Sequence, residues 1–375
     1  MRINKVFSGC VVLLAISKVV ISTHVYAADL FSSSDYSVYV NVHSVSYSEP
    51  APIKQMIDSL EGDPIEHGEF AFSHNQIELG GSIGAWKIGV FKRIDYFLEF
   101  TSDTAEVVYL NENDLSLESG KVYQINLEPN TLESTGLGVE YDWSFPESWT
   151  FTQQLNLQTR INYFRAEEIH HGRLWGQLSA DPETDFSGDL FLDYDYTEDS
   201  LLDRPPEEGD GQGVGVDVQM IWKPNEQWQL QFIGKDIWTY IRWSELTYTE
   251  ASATSNRIQF DDQGRISSIP LLSGREWYRD VVQRLPHQIS TSMTYQVNPN
   301  WGLKGTSFFY DKYHFPIMAL QYKTDIGSLE LEYNTKAEAI GIGFHSPIFF
   351  LRIAMDDHWE AAKSATLSTG LTLSF

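Results

Sequence analysis

From residue 36 to its last residue the chain is dominated by alternation with a period of two. Tyr36, Val38, Val40 and Val42 alternate with Ser37, Tyr39, Asn41 and His43. Leu155, Leu157, Thr159, Ile161 and Tyr163 alternate with Gln154, Asn156, Gln158, Arg160 and Asn162. Val214, Val216, Val218, Met220 and Trp222 face away from Gly215, Asp217 and Gln219, and Leu329, Leu331 and Tyr333 oppose Glu330, Glu332 and Asn334. Ile289, Thr291, Met293, Tyr295 and Val297 oppose Gln288, Ser290, Ser292, Thr294 and Gln296. Successive side chains of a strand point to opposite faces, so each segment is a ribbon with one apolar and one polar side. A soluble sandwich has such ribbons too. Features at the two ends of the chain, and between the ribbons, decide against it.

The first 27 residues read as an export signal. Arg2 and Lys5 form a basic start, Val6 to Ile21 is mostly apolar, and Val25-Tyr26-Ala27 supplies small residues before a cut at Ala28. The expected organisation is a signal peptide over 1–27 and one barrel domain over 28–375. No apolar run approaches the about 20 residues that a membrane-spanning helix needs. The single cysteine, Cys10, lies in the signal, which leaves no thiol for a disulfide framework or a thiolate metal site. The net charge is −26, and removing Arg2, Lys5 and Lys18 makes it more negative. Such acidity argues against a nucleic-acid partner, whose phosphates need Lys and Arg.

At the other end, Ala365, Leu367, Thr369, Leu371, Leu373 and Phe375 alternate with Thr366, Ser368, Gly370, Thr372 and Ser374. Within this strand, Ser368, Gly370, Leu373 and the terminal Phe375 resemble the C-terminal β-signal of Gram-negative outer-membrane β-barrels, the porin-like class. The resemblance covers the last strand alone and identifies no specific family. It implies recognition by the barrel-assembly machinery and residence in the bacterial outer membrane, with lipid and lipopolysaccharide as surroundings. It says nothing of a substrate.

The connections have a two-sided rhythm. Strands are expected near 36–47, 67–79, 83–92, 96–110, 120–128, 133–144, 149–164, 172–180, 185–196, 213–223, 227–245, 286–297, 301–312, 315–323, 326–334, 338–345, 347–355 and 365–375. Every second connection from residue 133 onward is tight: Phe145-Pro146-Glu147-Ser148, the stretch around Asp181-Pro182, Lys223-Pro224-Asn225-Glu226, Asn298-Pro299-Asn300, Thr324-Asp325 and Ser346-Pro347. The intervening ones include the long 165–171, 197–212, 246–285 and 356–364, with 313–314 and 335–337 as short exceptions. Short periplasmic turns and longer external loops are the habit of outer-membrane barrels. The fold class expected is therefore all-β, a transmembrane antiparallel up-and-down barrel of 14–18 strands, best count 18, with long external loops. About 16–18 strands would leave an aqueous channel. Short helices are expected at 52–60 and at 275–285, the latter with Trp277, Tyr278, Val281, Val282 and Leu285 on one side.

Candidate chemistry is sparse. Arg275, Arg279 and Arg284, on a loop folded inward, would face Asp189, Asp193, Asp195, Glu330 and Glu332 across a constriction whose transverse field selects solutes. An exposed helix whose arginines meet lipid A phosphates or solvent is the equal alternative. Glu207-Glu208-Gly209-Asp210-Gly211 has oxygen ligands for calcium but not their required spacing, so solvated charge is the better reading. Glu167-Glu168-Ile169-His170-His171 mixes carboxylate and imidazole, yet adjacent histidines on a strand point apart. No metal and no cofactor is assigned. Asp356-Asp357-His358 and Asp261-Asp262 resemble, in residue type alone, the aspartate and histidine set of omptin-type outer-membrane proteases. The expected function is a porin-like passive channel for small hydrophilic solutes with a preference for cations, and not an enzyme. The alternatives are a non-conducting envelope barrel for surface binding or polymer export and, remotely, a barrel hydrolase. Oligomeric state is left open.

Overall fold

The computed structural model describes residues 36–145, 155–181, 185–198, 209–254, 258–260, 266–268 and 271–375. Its framework is a closed antiparallel barrel of 14 strands. The wall runs through β1 (Tyr36–Ser48), β2 (Phe70–Ile83), β3 (Trp86–Phe100), β4 (Val122–Trp143), β5 (Leu155–Asp181), β7 (Gly211–Trp222) and β8 (Trp228–Thr254). It continues through β12 (Gln288–Gln296), β13 (Trp301–Tyr310), β14 (Tyr313–Thr324), β15 (Gly327–Asn334), β16 (Ala339–His345), β17 (Phe349–Met355) and β18 (Ser364–Ser374). The seam closes where β18 lies against β1, with Leu373 opposite Val38 and Leu367 opposite Ser44. The best count of 18 is thus corrected: β6 (Asp185–Tyr196) and β11 (Leu271–Gln283) stand above the closed ring, and β9 (Ile258–Phe260) and β10 (Ile266–Ser268) form a separate pair.

The alternation sorts as a lipid-facing barrel requires. Direct register partners Leu303, Leu320, Leu331, Ile342 and Ile353 form a continuous apolar ladder over five strands, all on the outer surface. Towards the end of the barrel that carries both Tyr36 and Phe375, the ladder gives way to outward aromatic pairs. Trp86 meets Tyr141 at 4.6 Å, Trp228 meets Tyr295 at 4.7 Å and Trp301 meets Tyr322 at 4.7 Å between ring centroids. Amphipathic rings flanking an apolar band match the interface of a bilayer. The tight connections at 223–227, 297–300, 325–326 and 346–348 lie at this same end.

Several expected loops are strand. The segments expected at 120–128 and 133–144 fall in one 22-residue strand, β4, and the described part of 149–164, from Leu155, runs on with 172–180 in one 27-residue strand, β5. A β-bulge between Glu133 and Ser134 carries the ladder past the break in the pattern, and residues 165–171 stay paired except Glu167, which the bulge skips. β8 likewise reaches Thr254 over 27 residues. A barrel strand needs about 9–11 residues to cross a bilayer. These three therefore overshoot the ring, and the connection at Asp181 lies at the far tip, not beside the termini. The long loop 246–285 is largely strand, and the helix expected at 275–285 is instead β11, paired with β8 from Leu271 to Gln283. A free ladder edge offers each backbone group a partner, which outweighs a helical spacing of apolar residues.

The strand expected at 96–110 also ends early. Thr101 caps α2 (Ser102–Glu112), and its side chain accepts from the Thr104 amide. The same helix start covers the β4 edge left free when β3 stops. Thr104 Oγ1 donates to Asn126 O at 3.0 Å, the Asn126 amide returns to Thr104 Oγ1 at 2.9 Å, and the Gln124 amide donates to Asp103 Oδ2 at 2.8 Å. Side chains thereby satisfy an edge that would otherwise recruit another strand. The expected helix at 52–60 is the short α1 (Ile53–Ile57), which packs with α2 against the outer face of β2 and β3 through Met56, Leu60, Leu98 and Ala105.

Candidate functional site

Polar side chains from opposite walls meet inside the ring. Arg93 on β3 donates from Nε to Asp95 at 2.5 Å and from both terminal nitrogens to Asp236 on β8, at 3.0 and 2.6 Å. β4, β5 and β7 separate those strands along the wall, so the bidentate pair is a chord across the lumen. His74 Nδ1 lies 2.6 Å from Asp95 Oδ1. The backbone N–H of Asp236 donates to Asp217 at 2.8 Å, and Asn162 donates to the other Asp217 oxygen at 2.7 Å. Arg160 then joins Asn162 at 2.6 Å to Glu78 at 2.8 and 2.9 Å, and Tyr39 donates to Glu78 at 2.7 Å. The result is one chain of charge-assisted bonds from β1 to β8. Local backbone geometry builds it: Asp236 sits at φ 53°, where the β7–β8 ladder shifts register between Val216 and Val218.

Two cavities flank this chain, of about 290 and 350 Å³, and both are bounded by His43, Ile233 and Lys235. Above them the lumen is crossed by apolar side chains. One cluster joins Tyr47, Phe72, Phe97, Tyr310 and Phe315; the other joins Phe91, Phe164, Ile241, Trp243 and Leu285. The wide hydrated lumen expected from a count of 16–18 is replaced by a narrow one, because fewer strands make a smaller ring. Its carboxylates are neutralised in place: Glu78, Asp95, Asp236, Glu330 and Glu332 each have a basic partner within 3.2 Å.

The residues singled out from sequence fall in three places. Glu330 and Glu332 face the lumen, paired with Lys304 at 3.2 Å and Arg352 at 2.9 Å. Arg279 does meet Asp193 at 2.7 Å and Asp195 at 2.5 Å, but on the sheet that rises above the ring. Burial works against its charge there, yet the two carboxylates hold its guanidinium above the ordinary arginine value. Arg275 pairs with Glu250 at 2.5 Å, both exposed, and Arg284 accepts through its carbonyl from Asn130 at 2.8 Å. Asp189 accepts from the Thr254 hydroxyl on the same raised sheet. The structure therefore brings Arg279, Asp193 and Asp195 together and leaves Arg275, Arg284, Glu330 and Glu332 apart from them.

In the last strand, Ser368 and Gly370 face inward. Ser368 Oγ is 2.7 Å from His43 Nδ1, and a Cβ on Gly370 would lie 2.2 Å from Asn41 Oδ1 and 2.3 Å from the Phe350 ring. A side chain there would have to displace the Asn41 side-chain amide and the Phe350 ring. Asp356 is occupied by the backbone amides of Lys363 at 3.1 Å and Ser364 at 2.9 Å, closing its loop. Asp261, Asp262, Glu207 and Glu208 lie outside the described residues. Glu167 pairs with Lys92 at 2.7 Å, and no group of three metal-ligating side chains occurs among the described residues.

Sequence reasoning missed Arg93, Asp95 and Asp236. Arg93 and Asp95 stand two apart, on one face of a strand, which was the available signal. Asp236 carries none, since its inward aim depends on the bulge.

A closed ring with an apolar outer belt, aromatic margins and a charged interior defines the class, a β-barrel of the transmembrane type. No family model matches the chain, and no curated protein matches its sequence. Among solved structures it is similar to a deletion mutant of the TodX monoaromatic hydrocarbon channel, at 10% identity and TM-score 0.45, with 92% of this chain and 91% of that one covered. It is also similar to a Pseudomonas aeruginosa FadL homologue, at 10% identity and TM-score 0.32 over 90% and 87% of the two chains. The outer membrane protease OmpT of Escherichia coli aligns at 7% identity and TM-score 0.24 over 92% and 99%. At these scores the fold assignment rests on the closed strand register of this chain itself.

Proposed function

We propose that the chain is an outer-membrane channel for small hydrophilic solutes, exported by residues 1–27 and inserted by the barrel-assembly machinery through Ser368, Gly370, Leu373 and Phe375. Lipid and lipopolysaccharide surround the belt. The observation that carries the reading is the pair of lumen cavities meeting at Lys235 inside a wall that is apolar outward and charged inward. The net charge of −26 favours cations. Because the luminal carboxylates are paired, the preference is expected to be modest. Arg279, Asp193 and Asp195 act in this reading as charges at the external mouth, and Glu330 and Glu332 as charges along the path. The test is conductance and reversal potential of refolded protein in planar bilayers under a potassium chloride gradient. Small conductance steps with weak cation selectivity are expected; a silent protein or clear anion selectivity overturns the proposal.

The aromatic clusters across the lumen favour a second reading, a closed envelope barrel whose raised sheet binds a surface polymer. Replacing residues 247–278 by a tight turn separates the two. Conductance that appears only in the shortened chain supports the closed barrel.

A further inference from the structure

The cavity of about 290 Å³ is bordered by a lysine that makes no direct contact with a carboxylate among the described residues. Lys235 borders it, and among the described residues its ammonium has neither an ion pair nor a hydrogen bond. The carboxylates within reach are committed elsewhere, Asp236 to Arg93 and Asp217 to Asn162 and the Asp236 amide. Directly across the ladder from Lys235 stands Gln288. Opposite residues of an antiparallel pair share a face, with Cβ atoms about 5 Å apart. Gln288 is 4% exposed, lines the same cavity, and its Nε2 is buried without a partner. A buried donor left unmade keeps its full desolvation penalty. Here one lies beside an unpaired ammonium, both bordering one space.

The other wall of that space is aromatic. Tyr47 and Phe72 approach the Phe315 ring edge-on, at 5.0 and 5.7 Å between centroids, and Phe308 packs beside them. The lining is amphipathic: aromatic rings meet a polar remainder that includes Lys235 and Gln288, and a concave space with a few convergent polar groups against apolar surface suits a small molecule. Lys304 and Arg352 also line it, but they are bound to Glu330 and Glu332. Lys235 and Gln288 line the cavity from β8 and β12, and the rings line it from β1, β2, β13 and β14.

We propose that this cavity is a binding site for a small monocarboxylate with a flat apolar body. The carboxylate takes one oxygen to the Lys235 ammonium and accepts from Gln288 Nε2, and the body lies against Tyr47, Phe72 and Phe315. The site rests on the channel reading for the solute's access, and the solute it binds is distinct from the small ions that carry the weakly cation-selective current. An anion gains charge-assisted hydrogen bonds here, and its apolar part leaves water for rings that are themselves buried.

The test is calorimetric titration of the refolded, detergent-solubilised chain with benzoate, benzamide and acetate. Benzoate is expected to bind about tenfold or more tightly than either of the others, since benzamide lacks the charge and acetate the ring. Lys235→Met is expected to remove the preference of benzoate over benzamide, and Gln288→Leu to weaken benzoate several-fold. Benzamide binding as well as benzoate overturns the anion site, and acetate binding as well as benzoate overturns the apolar half. Those comparisons use the unaltered protein, so they stand even where a variant fails to fold. Benzoate binding without conductance supports the site and overturns the channel. Conductance without benzoate binding overturns the site and leaves the channel.

Discussion

The strands β4, β5 and β8 pass through two different solvents, and the molecule treats its two regions differently as a result. Within the ring every strand has two neighbours, and the outer surface is the ladder of Leu303, Leu320, Leu331, Ile342 and Ile353. Above it, β4, β5, β6, β8 and β11 form an open sheet. An open edge inside lipid would leave amides and carbonyls with no partner, which is why spanning sheets close. In water the same edge is tolerable, and it is managed with charge: β11 is paired on one side by β8 and carries Arg275, Glu276, Arg279 and Asp280. Closure is therefore enforced over the lipid-facing length and not above it.

The two regions also use ion pairs differently, which gives the largest expected effect. Arg93 and Asp236 have side chains 5% and 0% exposed, whereas Arg275 and Glu250 are 69% and 53% exposed. Removing one partner of a buried pair strands the other charge, at a cost of about 3–5 kcal/mol. An exposed pair is worth about 0–1 kcal/mol. In urea unfolding of the protein in lipid vesicles, Arg93→Ala is expected to lower stability by about 3–5 kcal/mol, and Arg275→Ala by less than about 1 kcal/mol. Similar losses in both would show that the lumen is as wet as the outer sheet, and the contrast would fall.

A second substitution probes the outer surface rather than the interior. Leu331 is exposed on the belt, and Leu272 is exposed on the raised sheet. Arginine on the lipid face of a barrel costs about 2–4 kcal/mol at mid-depth and about 0–1 near the interface. Leu331→Arg is expected to cost about 2–4 kcal/mol in the same assay, and Leu272→Arg close to nothing. A tolerated Leu331→Arg would place the belt in water.

This contrast also explains what could be read from the sequence. In the ring each residue's face is set by parity, so Leu331 outward and Glu330 inward follow from alternation alone, and the tight turn at Asn298-Pro299-Asn300 follows from its residue types. Parity fails at a bulge. Asp236 at φ 53° and Glu245 at φ 52° each break the pattern of β8, and the true strand runs on through both. Pattern also cannot tell a strand within the ring from one stacked above it. β6 alternates as cleanly as β7 and sits on top of it, both beside β5. The lumen network was partly visible, with Arg160, Asn162 and Asp217 on polar faces. Which carboxylate meets which base across a ring depends on curvature, and no local spacing encodes that.

The smallest effect belongs to the watery side, in the loop between β17 and β18. The Asp357 carboxyl lies 2.6 Å from His358 Nδ1 and accepts from the His358 amide at 2.6 Å, and these bonds hold it below the ordinary carboxylate value. A group whose value is lowered on folding contributes stability above its ordinary range, and the contribution is lost as pH falls through the lowered value. Both side chains are largely exposed, so solvent screens the pair. Carbon-detected titration of Asp357 is expected to show a midpoint below that of an ordinary aspartate, and His358→Gln to move it upward. The unfolding midpoint of the barrel should stay the same through that interval, in His358→Gln as in the unaltered chain. A barrel that loosened in step with Asp357 would mean that this loop is tied into the closed ring, and the division between the two regions would have to be drawn elsewhere.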